Sequence, residues 1–285
     1  MKRAEIFKEI KEIITCPKCR VHVDFIDDEI RCKSPKCGFI SKITNDIFCT
    51  EKPTSMASFF DDKHVTMTSG NETKVTQELF YSRQAELAES YFKPGQVILD
   101  VGCGPSLSYK KNKDCYYIGL DYSFDSLRAN TTADFKIYGS AASLPIADHS
   151  VDTVICFYSI HHMVGNNLND NTRIVDSAFQ EFGRVLKKGG NLLIFEISPI
   201  PPFGLAENLV WNFTRSRLKN KLDMYFWTKS SVLEKAQRFF PHATANEKIF
   251  KSSPVLPVYP VFALRWLKIP RFLYPFHVTA YQFHF

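Results

Sequence analysis

No run of 18 or more apolar residues occurs in the 285-residue chain, and no internal repeat or low-complexity tract interrupts it. The first absence argues against a membrane-spanning helix, the second against solenoid and fibrous architectures. A strong charge bias is also lacking. The 36 Lys and Arg stand against 30 Asp and Glu, a formal net charge of +6, whereas nucleic-acid-binding domains are often far more basic. The first fifteen residues, MKRAEIFKEIKEIIT, interleave Lys and Glu with Ile and lack the unbroken apolar core of a secretion signal. They read as an amphipathic helix with Ile6, Ile10, Ile13 and Ile14 on one side. A cytoplasmic protein with reduced thiols is the expectation. Much of the positive excess lies late, in TRSRLKNK (Thr214 to Lys221) and at Arg265, Lys268 and Arg271. It is either a solvated helix face or a contact for an anionic ligand.

Four of the eight cysteines come early, as Cys16-Pro-Lys-Cys19 and Cys32-Lys-Ser-Pro-Lys-Cys37. The stretch between them, RVHVDFIDDEIR, alternates apolar and polar residues and predicts a hairpin. Two turns then bring Cys16, Cys19, Cys32 and Cys37 to one tetrahedral site that suits zinc. A disulfide, or turns without metal, is the alternative. So small a segment has little core of its own, so the metal would supply folding energy. Four closed ligands leave no open coordination position, which makes the zinc structural. His22 reads as a surface residue and Cys49 as a packed thiol.

After a polar stretch at 51–70 and helical spacing from Asn71 to Phe92, apolar runs and helical stripes alternate. Strands are predicted at 96–101, 116–121, 135–140, 151–159 and 191–198. A helix is predicted from Asp170 to Lys188, closed by Gly189-Gly190. The rhythm is that of a parallel α/β sheet. Asp100 and Asp121 fall at the ends of the first two of these strands. Gly102 and Gly104 let the intervening backbone turn and approach a ligand with no Cβ in the way. A carboxylate at the second strand end can accept both hydroxyls of a ribose. The loop, DVGCGPS, lacks the third glycine of a dinucleotide fingerprint.

Four pieces in order, LDVGCGPS (99–106), IGLDYS (118–123), GSAASLPIADHSVDTVICFYSIHHM (139–163) and EFGRVLKKGGNLLIFEIS (181–198), resemble class I S-adenosylmethionine-dependent methyltransferases of the type 11, UbiE-like group. The first fifty residues resemble the Trm112-like zinc ribbon. The resemblance implies a Rossmann-like seven-stranded sheet, mostly parallel with an antiparallel last strand, preceded by a small zinc ribbon. It implies a helix and ribbon at 1–50, a linker and helical lid at 51–93, and a methyltransferase domain at 94–285 with a substrate cap at 201–227. Asp100, Gly102 and Gly104 are expected to line the methionine moiety of S-adenosylmethionine, Asp121 to hold the ribose and Tyr122 to meet the adenine. Cys103, Ala141 and Phe157 complete the cofactor-lining set. Ser140 stands where the family often has Asp, and Ser106 where it often has a third glycine. The short stretch SLSYKKNKDC leaves little room for a long first helix.

His161 and His162 follow the fourth core strand, beside the expected methyl position. Either is a candidate general base, and packing is the plainer role for both. Phe80, Tyr81 and Arg83 form either a lid or ordinary packing. In the cap, Phe203, Leu209, Trp211, Phe213, Tyr225, Phe226 and Trp227 favour a sizeable apolar or planar acceptor, unless they are core. PVLPVYPVFALRWLKIPRFLYPF either rests on a membrane surface, as a peripheral contact, or packs as a loop. Three functions are carried forward: a methyltransferase for a small molecule, lipid- or glycan-linked in one form; an rRNA or tRNA methyltransferase; and a non-catalytic relative that docks a partner. The acceptor and the oligomeric state stay open at this level.

Overall fold

A computed structural model describes residues 10–51, 82–217, 224–250, 255–257, 268–270 and 275–285. The ribbon is two hairpins, β1 (Val23–Ile26) with β2 (Glu29–Cys32), then β3 (Ile40–Thr44) with β4 (Ile47–Cys49). The core strands are β5 (Val97–Val101), β6 (Tyr116–Asp121), β7 (Phe135–Tyr138), β8 (Val151–Phe157) and β9 (Leu186–Pro199). Helices α1 (Phe124–Ala129), α2 (Leu168–Val185), α3 (Pro201–Arg217) and α4 (Lys229–Phe239) follow β6, β8, β9 and α3 respectively. The chain continues as β10 (Thr244–Phe250), a short ladder of β11 (Val255–Pro257) with β12 (Lys268–Pro270), and β13 (Phe276–His284).

Eleven strands form one sheet in the order β1-β2-β3-β4-β7-β6-β5-β8-β9-β13-β10. The seven from β7 to β10 are the expected sheet. Those from β7 to β9 are parallel, and β13 runs antiparallel to both β9 and β10. Every residue of β5 is buried, as a strand covered on both faces requires. The chain winds outward from β5 through β6 to β7, then returns to β8 and β9 on the other side. The reversal opens a crevice at the carboxyl ends of β5 and β8, where ligands of such sheets bind.

The ribbon is a continuation of this sheet. β4 pairs in parallel with β7, Ile47 to Cys49 against Lys136 to Tyr138. Ile10, Ile14, Val23, Ile30, Phe39 and Phe48 share one apolar cluster with Leu99, Ile118 and Phe179. Residues 10–13, with Ile10 and Ile13, are helical as expected, and Ile14 follows in an isolated bridge to Ile146; Ile6 lies outside the described residues.

Two features differ from the sequence expectation. Helix α2 is capped by Asn167, whose side chain accepts from Asp170 N, but it ends at Val185, short of the glycines. Leu186 is already extended and starts β9, while Gly189, at φ 81°, sits in a register shift between β8 and β9. Phe285 bonds the backbone of both Gly189 and Gly190. β10, exposed along most of its length, joins the sheet as its last strand without an alternating pattern to announce it. The short connection from β5 to β6, residues 102–115, carries no helix, in line with the sequence reading. That face of the sheet is covered by Tyr109, Tyr117 and Phe92 together with Ala85 and Ala88 from the helical stretch 82–89. Phe80 and Tyr81 lie outside the described residues, as does the stretch 254–276 read above as a membrane contact or a packed loop, apart from its two short strands, Pro275 and Phe276.

Candidate functional site

Asp100 ends β5 at 2% exposure. Its Oδ2 accepts the Tyr109 hydroxyl at 2.8 Å, and its Oδ1 is buried with no partner. Burial pushes this carboxyl up to about 7 against the pull of the Tyr109 bond, and the negative Asp121 adds to the rise. A buried acceptor left unpaired costs about 1–3 kcal/mol, so Oδ1 fits a cationic donor such as the ammonium of S-adenosylmethionine. The backbone then turns at Gly102 (φ 76°) and Gly104 (φ 60°). A Cβ on Gly102 would lie 2.3 Å from Ser159 Cβ, so that position admits no side chain.

Asp121, half-buried at the end of β6, accepts Gly104 N and Ser123 N, each at 2.8 Å, one on each oxygen. These bonds orient the carboxylate across the glycine turn. Tyr122 stacks on Tyr138 at 5.6 Å. Ser140 Oγ accepts Ala142 N at 3.2 Å, closing the turn that carries Ala141. Thr50, just past β4, bonds Tyr138 O and stands where a Cβ on Gly139 would need to be. The ribbon therefore supports the wall that carries Ser140. The Cys103 side chain turns away into the protein, against Asn130 and Gly119, leaving only its backbone to the loop. Phe157 stacks face to face on Phe195 at 4.1 Å, and Tyr109 leans on it at 5.8 Å.

Beyond β8, Tyr158 holds φ at 50° and gives its hydroxyl to Gln84 Oε1 at 2.7 Å. The stretch 82–89 is thereby tied to the rim of the crevice through Gln84. Arg83 instead lines a groove against Lys248 and Phe250 of β10. His161 and His162 lie in a single turn with ring centroids 4.2 Å apart. His161 is buried, and its Nδ1 lies 2.6 Å from Glu196 Oε1. Glu196 sits in β9 with no exposure and also accepts His161 N and Ile197 N. A carboxylate only accepts, so in this bond Nδ1 is the donor and Nε2 the ring nitrogen that keeps its lone pair.

Above this pair lies the segment after α3. Tyr225 N donates to His161 O at 2.8 Å, and the Phe226 ring stacks on His161 at 5.3 Å. Phe226 N donates to Glu207 Oε1 of α3 at 3.1 Å, while Glu207 Oε2 is buried without a partner. Burial pushes the Glu207 carboxyl up to about 7, opposed by the Phe226 N–H and by His161. The cap aromatics divide. Trp211, Tyr225, Phe226 and Trp227 are buried and Phe203 packs on Phe276, whereas Leu209 and Phe213 are exposed. Sequence reasoning missed Glu196, Glu207, Gln84 and Tyr109. The signal for Glu196 was a carboxylate inside the apolar run LLIFEIS.

In the ribbon, the Sγ atoms of Cys16, Cys19, Cys32 and Cys37 all lie within 4.8 Å of one another. Cys16 and Cys37 are 3.6 Å apart and Cys19 and Cys32 3.3 Å, and all four are free thiols. Thiolates on a tetrahedral zinc with bonds of roughly 2.3 Å would stand about 3.8 Å apart, so the donor set fits the ion. Lys18 N and Ser34 N donate to Cys16 and Cys32 Sγ, and the knuckles close with Arg20 and Gly38 at positive φ. The N–H of Val21 foremost, then Cys32, lowers the Cys19 thiol to about 7, closer to its ligand form. Cys49 lies outside the cluster.

Comparison with known proteins agrees with this geometry. Residues 99–194 match the family described as a methyltransferase domain. The chain is 29% identical over 159 residues to a demethylmenaquinone methyltransferase of Corynebacterium glutamicum, covering 53% of this chain and 64% of that protein. It is 31% identical over 101 residues to a tRNA (carboxymethyluridine(34)-5-O)-methyltransferase of Arabidopsis thaliana, covering 35% of this chain and 24% of that one. The chain thus spans less than two thirds of the length of these curated relatives. A solved complex of the Haloferax volcanii Trm112 methyltransferase activator and a putative methyltransferase superposes with a TM-score of 0.53 at 15% identity, over 81% of this chain and 98% of the matched one.

Proposed function

We propose, for a chain whose core is a class I S-adenosylmethionine-dependent methyltransferase domain, that it transfers a methyl group to a small, largely apolar or planar acceptor. The observation that carries this reading is the crevice pair. Asp100 has an unpaired buried oxygen and Asp121 is aimed across the glycine turn, both at the carboxyl ends of adjacent parallel strands. When bound there, S-adenosylmethionine supplies an activated methyl on a sulfonium. Asp100 accepts the ammonium, Asp121 the ribose hydroxyls, and Ser140 faces the adenine side. His161, held by Glu196, takes the proton of an acceptor hydroxyl or amine on Nε2, a contribution of about 10²–10⁴-fold where that proton must leave. Phe226 and the buried cap residues exclude water, and orientation supplies much of the remainder.

Zinc, held by Cys16, Cys19, Cys32 and Cys37, stabilises the ribbon and so the sheet edge; it takes no part in the chemistry. The demethylmenaquinone methyltransferase relative favours a lipid-like acceptor. A transfer-RNA acceptor is the second reading, favoured by the tRNA methyltransferase relative. Against it, the ribbon from 16 to 50 carries six bases and five acids, and a four-thiolate zinc centre adds about two negative charges.

Calorimetric titration with S-adenosylhomocysteine tests the cofactor site, and absence of heat with no thermal shift would favour a non-catalytic relative. Incubating extracts with radiolabelled S-adenosylmethionine then separates the acceptors. Label in the organic phase supports the first reading, and label in ribonuclease-sensitive material replaces it with the second.

A further inference from the structure

Four of the eight large apolar side chains exposed among the described residues lie on one helix, α3. Leu205 is 62% exposed, Leu209 77% and Phe213 59%, and their spacing of four residues places them in one stripe. Val210, 49% exposed, widens it. Trp211, at 2%, and the inward Glu207 mark the opposite face, which packs on Tyr225 and Phe226, the latter stacked on His161. The helix is therefore two-sided, with an apolar face turned to solvent as well as one turned to the core.

Its charges are also one-sided. Glu207 is the one acid of α3, and it is turned in on Phe226 N. Arg217 is exposed at the last turn with its guanidinium 4.3 Å over the Phe213 ring. Arg215 is buried and donates to Gly165 O, and the sequence continues with Lys219 and Lys221. An apolar stripe bordered by Arg217, on a helix whose one acid is turned inward, is complementary to a bilayer with anionic headgroups. A second copy of the chain fits less well, because its own α3 offers Arg217 no exposed acid.

We propose that α3 docks on an anionic lipid surface, with Leu205, Leu209 and Phe213 in the acyl boundary and Arg217 among the headgroups. The same helix then spans from the lipid to the catalytic pair: its outer face touches the bilayer and its inner face bears Glu207 and Trp211. An apolar acceptor reaches His161 along α3 without crossing water.

The test is co-sedimentation of the full chain with phosphatidylcholine vesicles, alone or with about 30% phosphatidylglycerol, at about 0.1 M salt. The protein pellets with the anionic vesicles and is released by high salt. Leu209→Glu with Phe213→Glu weakens binding by about tenfold or more, while thermal stability and S-adenosylhomocysteine binding are unchanged, because both side chains are solvent-exposed. Arg217→Glu weakens the anionic component alone. The proposal is overturned if the wild type ignores anionic vesicles, or if the double variant binds them as before. It is equally overturned if light scattering finds a dimer that the double variant dissolves, which would make a second copy the occupant.

Discussion

Replacing Tyr109 by phenylalanine removes one hydroxyl and keeps the ring that packs on Phe92, Tyr117 and Phe157. That hydroxyl is the one hydrogen-bond donor Asp100 has among the described residues. A hydrogen bond to a buried charge contributes about 1.5–3 kcal/mol, which corresponds to one or two units of carboxyl titration. Asp100, already at about 7, would move to roughly 8–9. Only the ionised form pairs with an ammonium. The wild-type affinity for S-adenosylhomocysteine therefore rises about tenfold per pH unit below 7 and levels off above it. For Tyr109→Phe the levelling moves to higher pH, and at pH 7.5 the affinity falls about three- to thirtyfold. At high pH the two proteins converge. Asp100→Asn binds weakly at every pH.

Stability runs the other way in the ligand-free protein. The folded-state value of Asp100 lies above its ordinary 3.8. Between pH 4 and 7 the unfolded chain gives up this proton while the folded chain keeps it, so stability is lost as the pH rises. The upper bound is near 4 kcal/mol, about 1.4 kcal/mol for each of roughly three pH units. The thermal shift from S-adenosylhomocysteine is thus largest above pH 7, where the ammonium relieves the buried charge. Calorimetry and melting curves from pH 6 to 8.5 decide the matter. A flat wild-type affinity, or a Tyr109→Phe profile that overlays the wild type, refutes the reasoning.

Chelating the zinc, or replacing Cys32 by serine, lowers the melting temperature and weakens S-adenosylhomocysteine binding; hydrogen exchange should show β4 and β7 opening first. Replacing His161 by alanine lowers turnover about 10²–10⁴-fold for a hydroxyl acceptor and leaves cofactor affinity intact, and Glu196→Gln reproduces most of the loss with a shifted pH profile. Gly102→Ala abolishes measurable cofactor binding in calorimetry, because its Cβ meets Ser159 at 2.3 Å and its φ is 76°; adding Ser159→Gly relieves the contact but not the backbone strain, so rescue is partial. Glu207→Gln stabilises the ligand-free protein at pH 8 and not at pH 5, read by melting temperature, because burial holds the Glu207 carboxyl near 7 and so penalises its ionisation above that pH.

What could be read in the sequence is what leaves a local signature. Val97 to Leu99 run apolar because β5 is covered on both faces. The period of Val175, Phe179, Phe182 and Val185 marks the buried stripe of α2. Asp100 and Asp121 announce themselves as acids at strand ends, and the missing first helix was visible as too short a connection. What could not be read depends on partners far along the chain. The edge strand β10 has no buried face for most of its length and so no alternation. Gly189-Gly190 looked like a helix stop because glycine serves both a cap and a strand irregularity. The side chain of Cys103 follows the turn of the backbone at Gly102 and Gly104, which composition does not encode. Glu207 acquires its role only when Phe226, nineteen residues later, folds back onto it.

The placement of the ribbon shows how a metal held by its four cysteines would bear on the crevice at Asp100 and Asp121 without taking part in chemistry there. Without β4, the parallel strand β7 would present an unpaired edge, a liability that folds must cover. β4 covers it, and the chain leaving β4 places Thr50 against Gly139, one residue from Ser140. The first knuckle is locked to the core from the other side. Arg20 donates to the buried Glu181 at 2.7 Å, and Thr15 N and Ala147 N bond across to Pro145 O and Ile13 O. Glu181 in turn accepts Leu144 N and two bonds from Arg184, so it fixes the LPIAD turn that follows Ser140 and Ala141. The segment that carries Ser140 is therefore held at one end by Thr50, just past β4, and at the other by Glu181, which Arg20 of the first knuckle bonds. Coordination energy at Cys16, Cys19, Cys32 and Cys37 would then become rigidity in the wall that carries Ser140, a physical link between metal occupancy and cofactor affinity without any contact between the two ligands.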